Sequence, residues 1–279
     1  MKRYALLIAL LSIIVVACGN IAGGDNDVLP SPINAKAKDS FRIVTYNVGA
    51  INKFISDSLT KEDNVRLLAE IIREADADAV CFQELDSCNL RNNYFQLEAL
   101  ADAIGGDWQY HYAPAIDYRE GKYGSGVAAA RKGAKCYHIP IPTPEGSEDR
   151  VVAVMEYDDY VIASTHLNGS QPDQIKIITA AMKERYGNSE KPVFLGGDMN
   201  ATPTSEMMNE FRKNWIVLSK TSDATVFDRP VCIDYVLQFK NKAAIASVTD
   251  SQVITEANAG SMKMASDHYA VFVDVAINK

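Results

Sequence analysis

Several apolar, β-branched runs in this 279-residue sequence end in a polar residue that a hydrophobic core would reject and a reaction centre would use. Thr45-Tyr46-Asn47-Val48 closes one run with Asn47, Phe82-Gln83-Glu84 another with Glu84, and Ser164-Thr165-His166-Leu167 a third with His166. Gly196-Gly197-Asp198-Met199-Asn200 places Asp198 and Asn200 after a fourth. Ile233-Asp234-Tyr235 opens a run on Asp234, and Ser266-Asp267-His268 precedes the last one. Taken singly, each reads as a turn cap, a solvated carboxylate or a histidine satisfied in the core. Taken together, they are side chains that neighbouring strands can bring to one edge of a sheet. His111 and His138 have no such company and read as structural.

The chemistry open to this set is cleavage of a phosphoester. Hard oxygen donors from Glu84 and Asn47, with Asp267 as a further candidate, suit Mg²⁺ or Mn²⁺ and not zinc, which takes more His or Cys. A divalent ion held there would neutralise phosphate oxygens and help the leaving oxygen depart. A histidine with a carboxylate partner takes a proton from water near neutral pH, because the carboxylate sets the tautomer and stabilises the imidazolium. His166 and His268 are two candidates for that base.

Such side chains need strands to carry them. Segments 42–48, 79–83, 126–130, 151–157, 160–166, 193–196, 234–238 and 270–277 read as strands, and 62–75, 95–104, 174–186 and 205–214 as helices. In the first helix Val65, Leu68, Ile71 and Ile72 share one face. Asp158-Asp159 between two strand segments suggests a hairpin, so the sheets are partly antiparallel. No repeat or long Pro/Gly-rich break divides the chain, and 41–279 reads as a single α/β domain. Loops at 47–61, 87–94, 112–123 and 219–231 would surround the site and choose the substrate.

At 47% hydrophobic and 23% charged residues, the chain can bury a large core and is neither a fibre nor a disordered tail. Its net charge of −8, without clustered Lys and Arg, argues against tight binding to a nucleic-acid backbone. It does not exclude an enzyme that cuts a polyanion with the help of metal ions. Met1-Lys2-Arg3, an apolar run from Ala5 to Ala17 and then Cys18 have the layout of a basic region, a short hydrophobic region and a processing site. Val15-Val16-Ala17-Cys18 resembles a bacterial lipobox. That resemblance implies that 1–17 is a signal peptide and that Cys18 is lipidated, anchoring an exported protein to a membrane on its periplasmic or outer side. Segment 18–40, rich in Gly, Asn, Asp, Pro and Ser, reads as the anchor and its tether. Cys81, Cys88, Cys136 and Cys232 match no zinc spacing; an even count in an oxidising compartment permits disulfides, and buried thiols are the favoured reading.

These motifs, with Tyr123-Gly124-Ser125-Gly126 and the Ala201-Thr202-Pro203 that follows Asn200, resemble the endonuclease/exonuclease/phosphatase family in type and in order along nearly the whole chain. The resemblance implies a four-layer α/β sandwich, two mixed β-sheets packed face to face with helices outside. It implies Mg²⁺ or Mn²⁺ held chiefly by Glu84, assisted by Asn47 and Asp267. His268, oriented by Asp234, would be the general base, and Asp198 would hold the attacking water. Asn200 would donate to a phosphate oxygen, His166 would stabilise transition-state charge, and Tyr123 would contact the phosphate or leaving group. Arg150 falls loosely where relatives place a basic residue. Asn168, where relatives often carry Asp, and the stretch Gly126-Val127-Ala128-Ala129-Ala130-Arg131 depart from the pattern without removing a proton-transfer or metal residue.

The expectation is therefore a monomeric, exported phosphoesterase acting on a phosphodiester or phosphomonoester: nucleic acid, a lipid head group or a small phosphorylated molecule. The alternatives are an extracytoplasmic nuclease for DNA or RNA, and a non-catalytic surface protein that binds a phosphorylated ligand. The last should lack one of Glu84, Asp198, Asp234 or His268, and this chain has all four.

Overall fold

The structure is a computed structural model and describes residues 30–52 and 59–276. The expected signal peptide, Cys18 and most of the tether lie outside the described residues. Among the described residues, no helix is long and apolar enough to cross a membrane.

Among the described residues, twelve strands form two six-stranded sheets. In the first, β1 (Ser40–Asn47), β2 (Ala79–Ser87), β3 (Gln109–Tyr118), β4 (Gly121–Ala129), β11 (Ser247–Ile254) and β12 (Ala270–Ala276) run in the order β11-β12-β1-β2-β4-β3. In the second, β5 (Lys135–Ile141), β6 (Arg150–Glu156), β7 (Val161–His166), β8 (Val193–Asp198), β9 (Trp215–Val217) and β10 (Asp234–Phe239) run in the order β5-β6-β7-β8-β10-β9. The β1/β2 and β7/β8 pairs are parallel and the others antiparallel, so both sheets are mixed.

Alternation along the interior strands explains the layering. In β1, Ile43 faces the other sheet while Val44 and Tyr46 face helices α1 (Lys61–Glu74) and α2 (Gln96–Ile104). In β7, Ile162 faces the first sheet while Val161 and Ala163 face α3 (Asp173–Tyr186) and α4 (Glu206–Asn214). Three buried cores result: helix on sheet, sheet on sheet, and sheet on helix. That is the expected four-layer sandwich. Both faces of each central strand are covered, which is why those strands read as continuous apolar runs. The expected face of α1 is buried, and Thr60 caps it in a box with Asp63. The Asp158-Asp159 hairpin forms, closed by Tyr157 N–H donating to Tyr160 O at 2.9 Å.

Three expectations change. The folded unit begins at Ser31 rather than Phe41. Ile33 is buried in the helix-on-sheet core, and Asn34 bonds Gln252 and Asp250 of β11, so the end of the expected tether is part of the body. Segment 112–123 is not a loop but the end of β3 and the start of β4, turning at Arg119 and Glu120, both at positive φ. All four of these cysteines are free thiols, but only Cys81 and Cys232 are buried; Cys88 and Cys136 are exposed.

Candidate active site

β1 ends in Asn47 where its parallel pairing with β2 stops at Gln83, Glu84 follows within β2, which runs on to Ser87, and the parallel strands β7 and β8 end in His166 and Asp198. Antiparallel β10 enters beside β8 with Asp234 directly opposite Asp198, and His268 precedes β12. The two sheets approach closely beneath this edge. A Cβ on Gly196 would lie 2.7 Å from Cys81 Sγ, so glycine is required there. Just above, Gln83 donates to Ser164 Oγ at 3.1 Å and Ser164 Oγ donates to Phe82 O at 2.9 Å, locking the sheets together under the site.

Glu84 interrupts the β2 ladder. The β2/β4 register slips between Phe82 and Leu85, and Glu84 has φ +57°, a left-handed conformation unusual for glutamate. The bulge turns its carboxylate toward Asn47, whose Nδ2 donates to Glu84 Oε1 and to Asp198 Oδ2, both at 3.0 Å. Asn47 Oδ1 accepts from Gly49 N at 3.0 Å, so one amide ties the carboxylates of the two sheets.

His268 Nδ1 lies 2.9 Å from Asp234 Oδ2, and its Nε2 lies 3.7 Å from Asp198 Oδ2. Burial alone would depress this imidazole, but the carboxylates of Asp234, Asp198 and Glu84 outweigh it and hold His268 up at about 9. Asp198 moves the other way from an ordinary carboxylate: burial and the nearby charge of Asp234 raise it, with His268 opposing. Asp234 is fixed from behind by Thr225 Oγ1, which donates to its Oδ2 at 2.5 Å and accepts from Asp234 N at 3.3 Å.

His166 is held differently. Asn200 Nδ2 donates to Leu167 O at 3.0 Å, which settles the orientation of its amide, and the same nitrogen is 2.8 Å from His166 Nε2. His166 Nε2 must then accept, leaving the ring neutral with its proton on Nδ1. Burial and the neighbouring Arg150 push in the same direction, holding His166 well below the usual imidazole range. Both Nδ2 protons of Asn200 are thus committed, so the phosphate contact expected of it would need one released. Asn200 N also donates to Asp198 Oδ1 at 2.7 Å, and Asn200 itself has φ +49°.

Tyr123 lines one small cavity with Ser125, Arg150 and His166. Its hydroxyl is pushed far up by burial and by Glu84, so it stays a neutral donor. Arg150 donates to Asn168 Oδ1 through Nε and Nη2 at 2.8 and 2.6 Å and to Glu148 at 2.7 Å. Asp267 is buried next to His268, beside Ser266, whose Oγ donates to Asn47 O at 2.7 Å and accepts from His268 N at 3.2 Å.

The donor set fits a hard divalent cation. Asp198, Asp234 and His268 offer ligand atoms within 4.8 Å of one another, and Asp234 Oδ1 is buried with no hydrogen-bond partner. Among the described residues the only groups ion-paired with Asp198 and Asp234 are imidazoles. His268 Nδ1 and Asp234 Oδ2 are already spent on each other, which leaves Asp234 Oδ1 and the carboxylates of Glu84 and Asp198 on either side of Asn47 as the oxygen donors. Asn47 would join them through Oδ1 only after its amide turns away from Gly49.

Thr225 and Ser266 support Asp234, Asn47 and His268 by hydrogen bonds, and the sequence does not single them out. Ser266 lay inside a motif already noted, whereas Thr225 sits in a loop with no local pattern to mark it.

The sequence matches the Endonuclease/Exonuclease/phosphatase family over residues 44–268. No curated protein matches it significantly. Solved structures with the same fold include an endonuclease/exonuclease/phosphatase from Bacteroides vulgatus, 16% identical, covering 86% of this chain and 99% of that one with a TM-score of 0.66. A mannosyl-6-phosphatase from Bacteroides thetaiotaomicron is 17% identical, with 85% and 99% covered and a TM-score of 0.65. The human Nocturnin catalytic domain with bound sulfate is 17% identical, with 88% and 97% covered and a TM-score of 0.62.

Proposed function

The chain belongs to the endonuclease/exonuclease/phosphatase family, and from that premise we propose that it is an exported, divalent-metal-dependent phosphoesterase that hydrolyses a phosphomonoester or phosphodiester by in-line attack of water. The observation that carries this reading is the buried line Thr225, Asp234, His268, Asp198. With Nδ1–H directed at Asp234, a neutral His268 has its lone pair on Nε2, on the side of Asp198. Water held by Asp198 gives a proton to that nitrogen as its oxygen bonds to phosphorus and the ester P–O bond breaks. Asp234 then stabilises the imidazolium. Tyr123, a neutral donor, and Asn200, after releasing His166, face the phosphoryl oxygens. A divalent ion held by Glu84, Asp198 and a turned Asn47 would neutralise phosphoryl charge and offset the carboxylate field that keeps His268 protonated.

A small phosphorylated substrate suits the net charge of −8 better than a polyanion does. A neighbour named as a mannosyl-6-phosphatase supports that choice, while Nocturnin with its sulfate shows only that this fold accommodates a tetrahedral anion. The nuclease reading predicts faster turnover of RNA or DNA than of a sugar phosphate. The test is side-by-side hydrolysis of a hexose phosphate, a lysolipid phosphodiester, RNA and single-stranded DNA in Mg²⁺. Preference for the hexose phosphate supports the proposal, and preference for a nucleic acid replaces it with the nuclease. Binding without turnover of any of them favours the phospholigand-binding alternative.

A further inference from the structure

His111 and His138, read as structural from the sequence, are brought together at the open flank of the sandwich. β3 and β5 are edge strands of opposite sheets. Gln109 of β3 faces Cys136 of β5, its Nε2 3.7 Å from the sulfur, and two residues further along each strand His111 faces His138. The two imidazole rings lie with centroids 6.5 Å apart and planes inclined by 22°. His111 hydrogen-bonds the backbone of Tyr137, and its Nε2 is buried without a partner, so the bond is carried by Nδ1–H and the lone pair is on Nε2. A ring N–H donated to a backbone carbonyl, with the other nitrogen left basic, is the arrangement that prepares histidine for a metal.

We infer that His111, His138 and Cys136 form a zinc-type metal site that clips the two sheets together at this flank, separate from the phosphoester site. Cys136 and His138 stand two apart on one strand and so project to the same side, with His111 opposite; Cys136 Sγ contacts Gln109 Nε2 and Ala134 O at 3.7 and 3.8 Å and would swing from them to complete a three-ligand N₂S set open to water at the fourth position. Imidazoles sharing one zinc at about 2.0–2.1 Å place their ring centroids about 5–6 Å apart, a small side-chain turn from the spacing seen. Cys136 and His138 are exposed and can make that turn. Cys136 gives its thiol proton to solvent as the sulfur–metal bond forms. Soft nitrogen and sulfur donors here, against oxygen donors around Glu84, separate the two sites by metal preference. They also lie apart in space: His111 pairs with Val127, four residues along β4 from Tyr123, about 13 Å at strand spacing.

Titration of the full chain with Co²⁺, followed by Zn²⁺, tests this without reference to catalysis. The wild type is expected to develop a thiolate-to-cobalt charge-transfer band with one equivalent, erased by zinc. The band should be lost in Cys136→Ser, at least tenfold weaker in affinity in His111→Ala and His138→Ala, and unchanged in Glu84→Ala. Zinc should raise the Tm of the wild type and not of His138→Ala. No thiolate band in the wild type, or a band equally tight in both histidine variants, overturns the site. Because the readout is optical and thermal, its failure leaves the phosphoesterase reading standing, and an inactive enzyme leaves this site standing.

Discussion

Replacing Asp234 by Asn changes one oxygen to an amide NH₂ and tests the proton relay. Asp234 is fully buried, and its Oδ2 takes hydrogen bonds from both Thr225 and His268. Because both bonds fall on Oδ2, an asparagine carbonyl placed there keeps Thr225 and the His268 Nδ1–H in place, so the substitution removes the charge and leaves the geometry. Without the charge that stabilises the imidazolium formed as water gives up its proton, turnover should fall by about 10²–10⁴. KM should change little, because Asp234 touches His268 and not the substrate. The same substitution removes the largest charge holding His268 up. A rise from 6.5 to about 9 corresponds to about 3 kcal/mol of preference for the imidazolium. The folded protein therefore binds an extra proton between those values, so this contribution is fully present below pH 6.5 and is lost as pH rises through about 9. In protein treated with chelator, NMR titration should place His268 near 9 in the wild type and clearly lower in Asp234→Asn, with a flatter stability profile across that window. A folded Asp234→Asn protein that keeps its rate within a few-fold, or a His268 that titrates near 6.5 in the wild type, would refute the relay.

Thr225→Val removes the hydroxyl that steadies Asp234 while keeping the shape; turnover should fall about tenfold to a hundredfold, with Thr225→Ser recovering most of it. Steady-state kinetics of the pair checks this. Asp274→Asn breaks the buried pair in which Arg42 Nε and Nη2 donate to the two carboxylate oxygens at 2.6 and 2.7 Å, leaving an unpaired guanidinium over the Phe272 ring. Urea unfolding should show a loss of about 3–5 kcal/mol, with catalysis in the surviving folded protein unchanged.

The legible part of the fold follows its burial. Each central strand is covered on both faces, as in Val151 to Met155 of β6, and so declares itself as an apolar run. β3, β5, β9 and β11 did not, and each is a sheet edge. β3 carries Pro114 and β5 carries Pro140, which a sheet tolerates only where no ladder partner is needed, and β11 exposes Ser247, Val248 and Thr249. Edge strands answer to solvent on one side, so their residues lose the pattern that marks a core. The site shows the same division. Asn47, Glu84, His166, Asp198, Asp234 and His268 were readable because polar groups at the ends of apolar strands have few structural reasons to be there. The left-handed bulge at Glu84 and the hydroxyl of Thr225 behind Asp234 come from tertiary packing, and no local pattern announces them. His111 and His138 sit on two edge strands that no apolar pattern marks, so nothing in the sequence signals that they meet.

The most direct test of the central claim is hydrolysis of a simple phosphomonoester and a phosphodiester by the wild type and Glu84→Gln in Mg²⁺, in Mn²⁺ and in EDTA. Turnover that disappears in EDTA, returns with Mg²⁺ or Mn²⁺ and falls at least a hundredfold in a folded Glu84→Gln protein is the result expected. Equal turnover in EDTA, or a Glu84→Gln enzyme as fast as the wild type, would contradict it.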